Sequence, residues 1–259
     1  MNATDPSVPS RRPTEFTAAE WQTRVDLAAC YRLTAAFGMS DLIYNHITAR
    51  IPGTPEHLLI NPYGMMYEEI TASSLIKIDL DGNVLDGGDN QFGINQAGYV
   101  IHGAVHGARP DVQCVIHTHT RAGSAVSAMK CGLLPIAQTS MRFAHIAYHD
   151  YESVALELDE RTRLVRDLGN HDAMVLRNHG LLTVGASVAQ AFNAMYWLEM
   201  SCKIQIDAMS GGAEVAVPSQ DVIEKTYTLY QPHVRRPFGE MEWPAMLRYL
   251  DRRDASYKT

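Results

Sequence analysis

Between residues 45 and 184 the chain alternates short β-type runs with helical patterns, and this alternation constrains the fold more than any other feature. The runs at 45–51, 57–60, 75–79, 112–119, 146–149, 173–177 and 181–184 are each four to eight residues long. That is strand length, and too short for buried helices. Between them, 94–108, a small-residue stretch ending at Met129, and 159–168 carry helical spacing. Helices interleaved with strands predict an α/β domain with helices packed on a sheet. Two longer helices frame it. Thr17 followed by Glu20 makes a capping box for a helix through Phe37, where Gly38 stops it. Ser187 caps an amphipathic helix to Met209, closed by Gly211-Gly212. Asn61-Pro62-Tyr63-Gly64 and Asp81-Gly82-Asn83 supply turn chemistry, and 220–253 reads as one or two helices broken near Pro232 and Pro237.

Residues 1–15 are rich in Pro, Ser and Thr without an apolar stretch, so a disordered lead is expected there rather than a signal peptide or anchor. Residues 16–212 then form one domain and 213–259 a helical C-terminal extension. No apolar run is long enough to span a bilayer, so no membrane partner is expected. The formal charge of -7 argues against nucleic acid, which needs a basic face. The four cysteines lack metal-type pairing and sit among apolar neighbours, as reduced core residues of a cytoplasmic protein do.

His117 and His119 lie two apart on a β-type run, so both side chains project from one face and can converge on one ion. His179 sits in Asn178-His179-Gly180 between two strand-like runs, where Gly180 allows a sharp turn. Three imidazoles suit one divalent ion, Zn, Mn, Fe or Co, and leave coordination positions open. An isolated H-x-H is equally compatible with ordinary polar residues at strand ends.

Further motifs bear on this choice. Asn95-Gln96-Ala97-Gly98, Ala108-Arg109-Pro110-Asp111-Val112, His117-Thr118-His119-Thr120, 125–135, 147–151 and Leu176-Arg177-Asn178-His179-Gly180-Leu181 together resemble the class II aldolase/adducin family, closest to its adducin-head branch. The likeness covers about residues 21–212. It implies a single three-layer α/β/α domain around a mostly antiparallel sheet. It also implies that His117, His119 and His179 are the metal ligands, with the active site between subunits of a homotetramer. Asn45 matches a substrate-pocket asparagine of the family. Two elements depart from the pattern. The acid/base glutamate of the sugar-phosphate aldolases falls on Gly98, and their Thr-Pro-Thr-Gly phosphate contact is Asn61-Pro62-Tyr63-Gly64 here. A sugar phosphate is therefore not the expected substrate.

A divalent ion can chelate a hydroxy or keto acid and stabilise the enolate formed when a C–C bond breaks. Retro-aldol cleavage needs a base, whereas decarboxylation needs only an acid to protonate the carbanion. Loss of the glutamate thus leans toward decarboxylation of a small phosphate-free acid. His106, Tyr148 and His149 are the candidate proton carriers, beside His102. Each has a plainer reading: a buried histidine at His102, a surface position at His106, a strand end at Tyr148 and His149. Arg142 could pair with a substrate carboxylate, or be a surface charge at a helix end. An iron-dependent oxygenase and a non-catalytic adducin-like module remain the alternatives to a lyase.

Overall fold

The computed structural model describes residues 15–88, 91–152 and 158–259. Apart from Glu15, the expected N-terminal lead lies outside the described residues. Among the described residues eight strands form one open sheet: β1 (His46–Ile51), β2 (Thr54–Ile60), β3 (Ile76–Asp79), β4 (Val84–Asp86), β5 (Cys114–Thr118), β6 (Ala147–His149), β7 (Ala173–Leu176) and β8 (Gly180–Gly185). Their spatial order is β4-β3-β2-β1-β5-β8-β7-β6. Every neighbouring pair is antiparallel except β6 and β7, which are parallel and joined across helix α5 (Leu158–Leu168). A parallel pair needs such a crossover, because a hairpin can only reverse the chain.

Both faces of the sheet are covered, which is why all six residues of β1 are buried. Ile47, Ala49 and Ile51 point into one core with Ile116, Val175 and Leu181. That core is closed by α1 (Ala18–Ala36), α3 (Arg121–Ser127), α6 (Val188–Ser210) and α8 (Trp243–Asp251). On the opposite face Val115, Met174, Leu182 and Val184 pack against Ile101 and Val105 of α2 (Gln96–Ala108) and Leu164 and Leu168 of α5. The result is the expected three-layer α/β/α arrangement around a mostly antiparallel sheet. The even residues of β1, namely His46, Thr48 and Arg50, face α2 and are polar.

Several local expectations are corrected. Thr17 accepts a hydrogen bond from Glu20 N at 3.1 Å, but the Glu20 carboxylate turns to Arg24 and Lys77, so only half of the capping box forms. α2 starts at Gln96 because Asn95 caps it, its side chain accepting from Gly98 N. The exposed edge strand β4 has no apolar alternation and escaped sequence reading. Cys30, Cys114 and Cys202 are buried as expected, whereas Cys131 is exposed. The segment after Gly212 contains α7 (Gln220–Leu229) and α8, and it joins the main core. Trp243 and Tyr257 are buried there, and Tyr257 O and Thr259 O accept from Ala72 N and Ser73 N at 2.9 Å.

Candidate metal centre and active site

Antiparallel pairing of β5 with β8 brings the end of β5 against the turn that links β7 to β8. His117 and His119 come from the first and His179 from the second. The left-handed residue that shapes this turn is Asn178, at φ 55°, a conformation asparagine tolerates better than most residues. Gly180 serves a different need from the one expected. A Cβ there would lie 2.3 Å from Thr118 O, so only glycine lets the two strands approach.

The three Nε2 atoms converge. His117 and His119 are 2.8 Å apart, His119 and His179 2.8 Å, and His117 and His179 3.3 Å. His117 Nδ1 lies 2.9 Å from Leu181 O, which can only accept, so Nδ1 carries the proton and Nε2 a lone pair. Asp41 Oδ2, 3.2 Å from His119 Nδ1, selects the same tautomer there. Two lone pairs facing each other at 2.8 Å repel unless a cation lies between them. An ion about 2.1 Å from each nitrogen would subtend N–metal–N angles of roughly 84–104°, within reach of tetrahedral or facial octahedral geometry. The residues therefore fit a divalent ion, and the Leu181 carbonyl and Asp41 provide the outer hydrogen bonds that hold metal-binding imidazoles in place. Burial pushes the His117 pKa well down and that of His179 to about 4, with the neighbouring histidines adding to it, so both rings are neutral ligands at neutral pH.

Asn45 leads into β1, the strand that pairs with β5. It sits directly before β1 at φ 71°, is 3% exposed, and neither atom of its amide has a partner among the described residues. A buried unpaired amide is costly unless a ligand completes it. Next to it His46 stands opposite His117 in the β1–β5 register, on the same face of the sheet. Its Nδ1 is 3.4 Å from Asn61 Oδ1, and its Nε2 has no hydrogen-bond partner among the described residues. Burial pushes its pKa down to about 4, opposed by the Asn61 hydrogen bond and helped by His119. A Cβ at Gly98 would fall 2.0 Å from this Nε2. The space that a side chain at position 98 would need is thus occupied by the His46 ring.

The other expected residues are elsewhere. His106 is 1% exposed and belongs to a polar array under α2: Thr48 Oγ1 lies 2.8 Å from both His106 Nε2 and His102 Nδ1, and Arg50 Nη2 donates to His106 O. Thr48 and Arg50 lie two and four residues beyond His46, roughly 7 and 13 Å along the strand. Tyr148 and His149 are on edge strand β6, three strands from β5. The Tyr148 hydroxyl accepts from Leu133 N, and Arg177 stacks on its ring at 4.2 Å. His149 Nδ1 is 2.8 Å from Asp167 Oδ2. Arg142 lines a cavity at the opposite end of the sheet. Tyr151 instead approaches, its ring 6.3 Å from that of His179. Asp41, His46 and Tyr151 were missed by sequence reading. Only Gly98 hinted at one of them, since a missing side chain needs a replacement.

Comparison with known proteins agrees with this architecture. The family described as Class II Aldolase and Adducin N-terminal domain matches residues 25–206. A protein of Pseudomonas aeruginosa, provisionally named an aldolase class 2 protein, is 49% identical over 97% of this chain and 98% of its own. Rat alpha-adducin is 41% identical over 91% of this chain but only 34% of that larger protein. The structure of L-fuculose 1-phosphate aldolase from Glaciozyma antarctica superposes with a TM-score of 0.82 at 26% identity, covering 96% of this chain and 98% of the enzyme.

Proposed function

This chain belongs to the class II aldolase and adducin family, and from that premise we propose a divalent-metal-dependent lyase that cleaves a C–C bond of a small, phosphate-free hydroxy or keto acid. Class II aldolases use a divalent metal, and the single observation that carries the reading is the convergence of three imidazole Nε2 atoms within 3.3 Å. The bound ion, Zn, Mn, Fe or Co, supplies Lewis-acid polarisation of substrate oxygen atoms. His117, His119 and His179 hold it, and Asp41 keeps His119 in the right tautomer. Asn45 offers an unpaired amide to orient substrate through one donor and one acceptor. The absence of a glutamate at Gly98 supports a phosphate-free substrate over a sugar phosphate.

Proton transfer falls to His46 in this reading. A neutral imidazole with Nδ1–H toward Asn61 presents Nε2 as a base, which suits removal of a substrate hydroxyl proton. His46 therefore weakens the case for decarboxylation over retro-aldol cleavage, since that case rested on having no base. His106 is enclosed by Thr48 and Arg50, and Arg142 is remote, so neither supports a role at the metal. Exposed Leu42, Tyr44 and Tyr151 around the triad are consistent with a homotetramer whose subunits complete the site.

Metal analysis of the purified protein, followed by a screen of phosphate-free hydroxy and keto acids for carbon dioxide or aldehyde release, tests the proposal. The expected result is near-stoichiometric metal and turnover, both lost in His117→Ala. Protein that takes up no divalent ion would sink it, and oxygen consumption in step with turnover would replace it with an oxygenase. The likeness to alpha-adducin favours a second reading, an assembly module. A pre-aligned triad with its outer hydrogen bonds has no use in such a module, so full occupancy without turnover is the outcome that would favour it.

A further inference from the structure

A well-formed cavity lies away from the triad. It has a volume of about 340 Å³ and lies where Gly185 ends β8 and Asp172 precedes β7, under α6 and α7. The rise of β8 alone separates it from the turn carrying His179 by roughly 17 Å. Small-molecule sites commonly have this size, with apolar walls and a few polar groups aimed inward.

Four charged side chains line it: Arg109 and Asp111, which pair with each other, and Arg142 and Asp172. The Arg142 guanidinium is held by one hydrogen bond, Nη1 to Asn193 Oδ1 at 2.7 Å, and is flanked by the rings of Phe143 and Phe238 at 5.5 and 5.6 Å. Among the described residues no carboxylate lies within 4.0 Å of it and its other donors have no acceptor. Burial lowers its pKa, as expected for a cation lacking a neutralising partner at contact distance. Asp172, on the same wall, likewise has no ion pair and no side-chain hydrogen bond among the described residues. Opposite charges that share a cavity without touching leave room between them for a molecule that meets both. Arg109, also on this wall, is already satisfied by Asp111 and by the Gly169 carbonyl, so it fixes the wall and does not compete.

We infer that this cavity is a binding site for a small zwitterion of the amino-acid class, with its carboxylate on Arg142 and its ammonium on Asp172. The guanidinium fork matches a carboxylate bidentately, and the flanking Phe143 and Phe238 rings hold the fork flat. Tyr227, Tyr230 and Gln231 line the remaining wall and would select among side chains. A simple anion would satisfy Arg142 but leave Asp172 facing it, and an amine would do the reverse. The site shares no residue with the metal centre.

Calorimetric titration with the protein amino acids, each beside its N-acetyl derivative and its α-hydroxy acid, tests this. At least one free amino acid is expected to bind with a Kd at or below about 1 mM, both to the wild type and to His117→Ala. In the His117→Ala background, where the metal centre cannot contribute, its N-acetyl and hydroxy forms, and the added Arg142→Gln and Asp172→Asn changes, should each bind at least about tenfold more weakly. No amino acid binding below about 10 mM would overturn the inference, as would equal binding of the N-acetyl form. Binding lost in His117→Ala but kept in Arg142→Gln would assign the ligand to the metal centre instead. Should Arg142→Gln fail to fold by circular dichroism, Asp172→Asn decides alone. A change of oligomeric state in Arg142→Gln with no amino acid bound would show a second copy on this face, and would also overturn it.

Discussion

Replacing Gly98 by alanine tests whether His46 and Gly98 are a matched pair. The new Cβ would stand 2.0 Å from His46 Nε2 and 2.5 Å from its Cδ2. Ordinary contact begins near 3.4 Å, so the ring or the first turn of α2 must move by about 1.4 Å. His46 is 3% exposed and its register opposite His117 is fixed by the β1–β5 ladder, so the ring has little freedom. Overpacking of this kind costs about 1–3 kcal/mol. Alanine recovers at most about 1 kcal/mol in helix propensity, and less in a first turn. The expected net loss is about 1–2 kcal/mol, or a fall in Tm of roughly 2–8 °C for a chain of this size. Thermal melts of wild type, Gly98→Ala, His46→Ala and the double variant, at one protein concentration and metal-free, complete the cycle. The double variant should not suffer the clash, giving a coupling of at least about 1 kcal/mol. A Gly98→Ala protein as stable as wild type, or a cost unchanged in the His46→Ala background, would refute the reasoning.

Other predictions follow from the same geometry. Asp41→Asn should keep the fold but weaken metal affinity about 10–100-fold, read by competition with a chelator, because it removes the outer partner of His119; unchanged affinity would remove Asp41 from the site. Metal-free protein should lose stability as pH falls. Burial lowers His106 to about 3 and His46 to about 4, so the unfolded chain binds protons that the folded one refuses. Stability is then complete above about pH 6.5 and declines toward pH 4, by up to ~1.4 kcal/mol per pH unit for each such ring; a flat Tm across that window would contradict the burial of these rings. A thiol reagent should modify one cysteine in the native protein, Cys131, and reach buried Cys30, Cys114 and Cys202 only on unfolding. Rapid labelling of all four would mean that the cores around α1 and α6 open readily.

What could be read from the sequence was what depends on near neighbours. An H-x-H on a strand sets two imidazoles on one face by backbone geometry alone, and the β-type runs located seven of the eight strands. β4 was missed because three exposed residues carry no alternation. Asp41 and Tyr151 reach the triad from loops, and no local pattern tells where a loop will end. Arg142 illustrates the converse: a guanidinium is a possible fork for a carboxylate wherever it stands, but the sequence does not say where that is. The strand end that carries Asp172 meets it far from the histidines, because β7 and β8 run the full depth of the sheet between the two sites.

Gly98 shows why a missing side chain cannot be interpreted from its own position. In the sequence it marks a lost acid/base group, and the lost base argued for decarboxylation. In the fold, β1 delivers His46 into the volume that residue 98 leaves empty, from more than fifty residues away in the chain. Neither residue can be changed alone without either a clash or a void, so the pair is one structural unit. A glutamate at 98 and a histidine at 46 exclude each other, and the choice between them sets which kind of group faces the triad: an anionic carboxylate or a neutral imidazole. With His46 at that position no carboxylate faces the three Nε2 atoms directly, and Asp41 lies behind His119, one imidazole away. That arrangement favours an anionic substrate such as a hydroxy or keto acid, whereas a carboxylate at 98 would repel one.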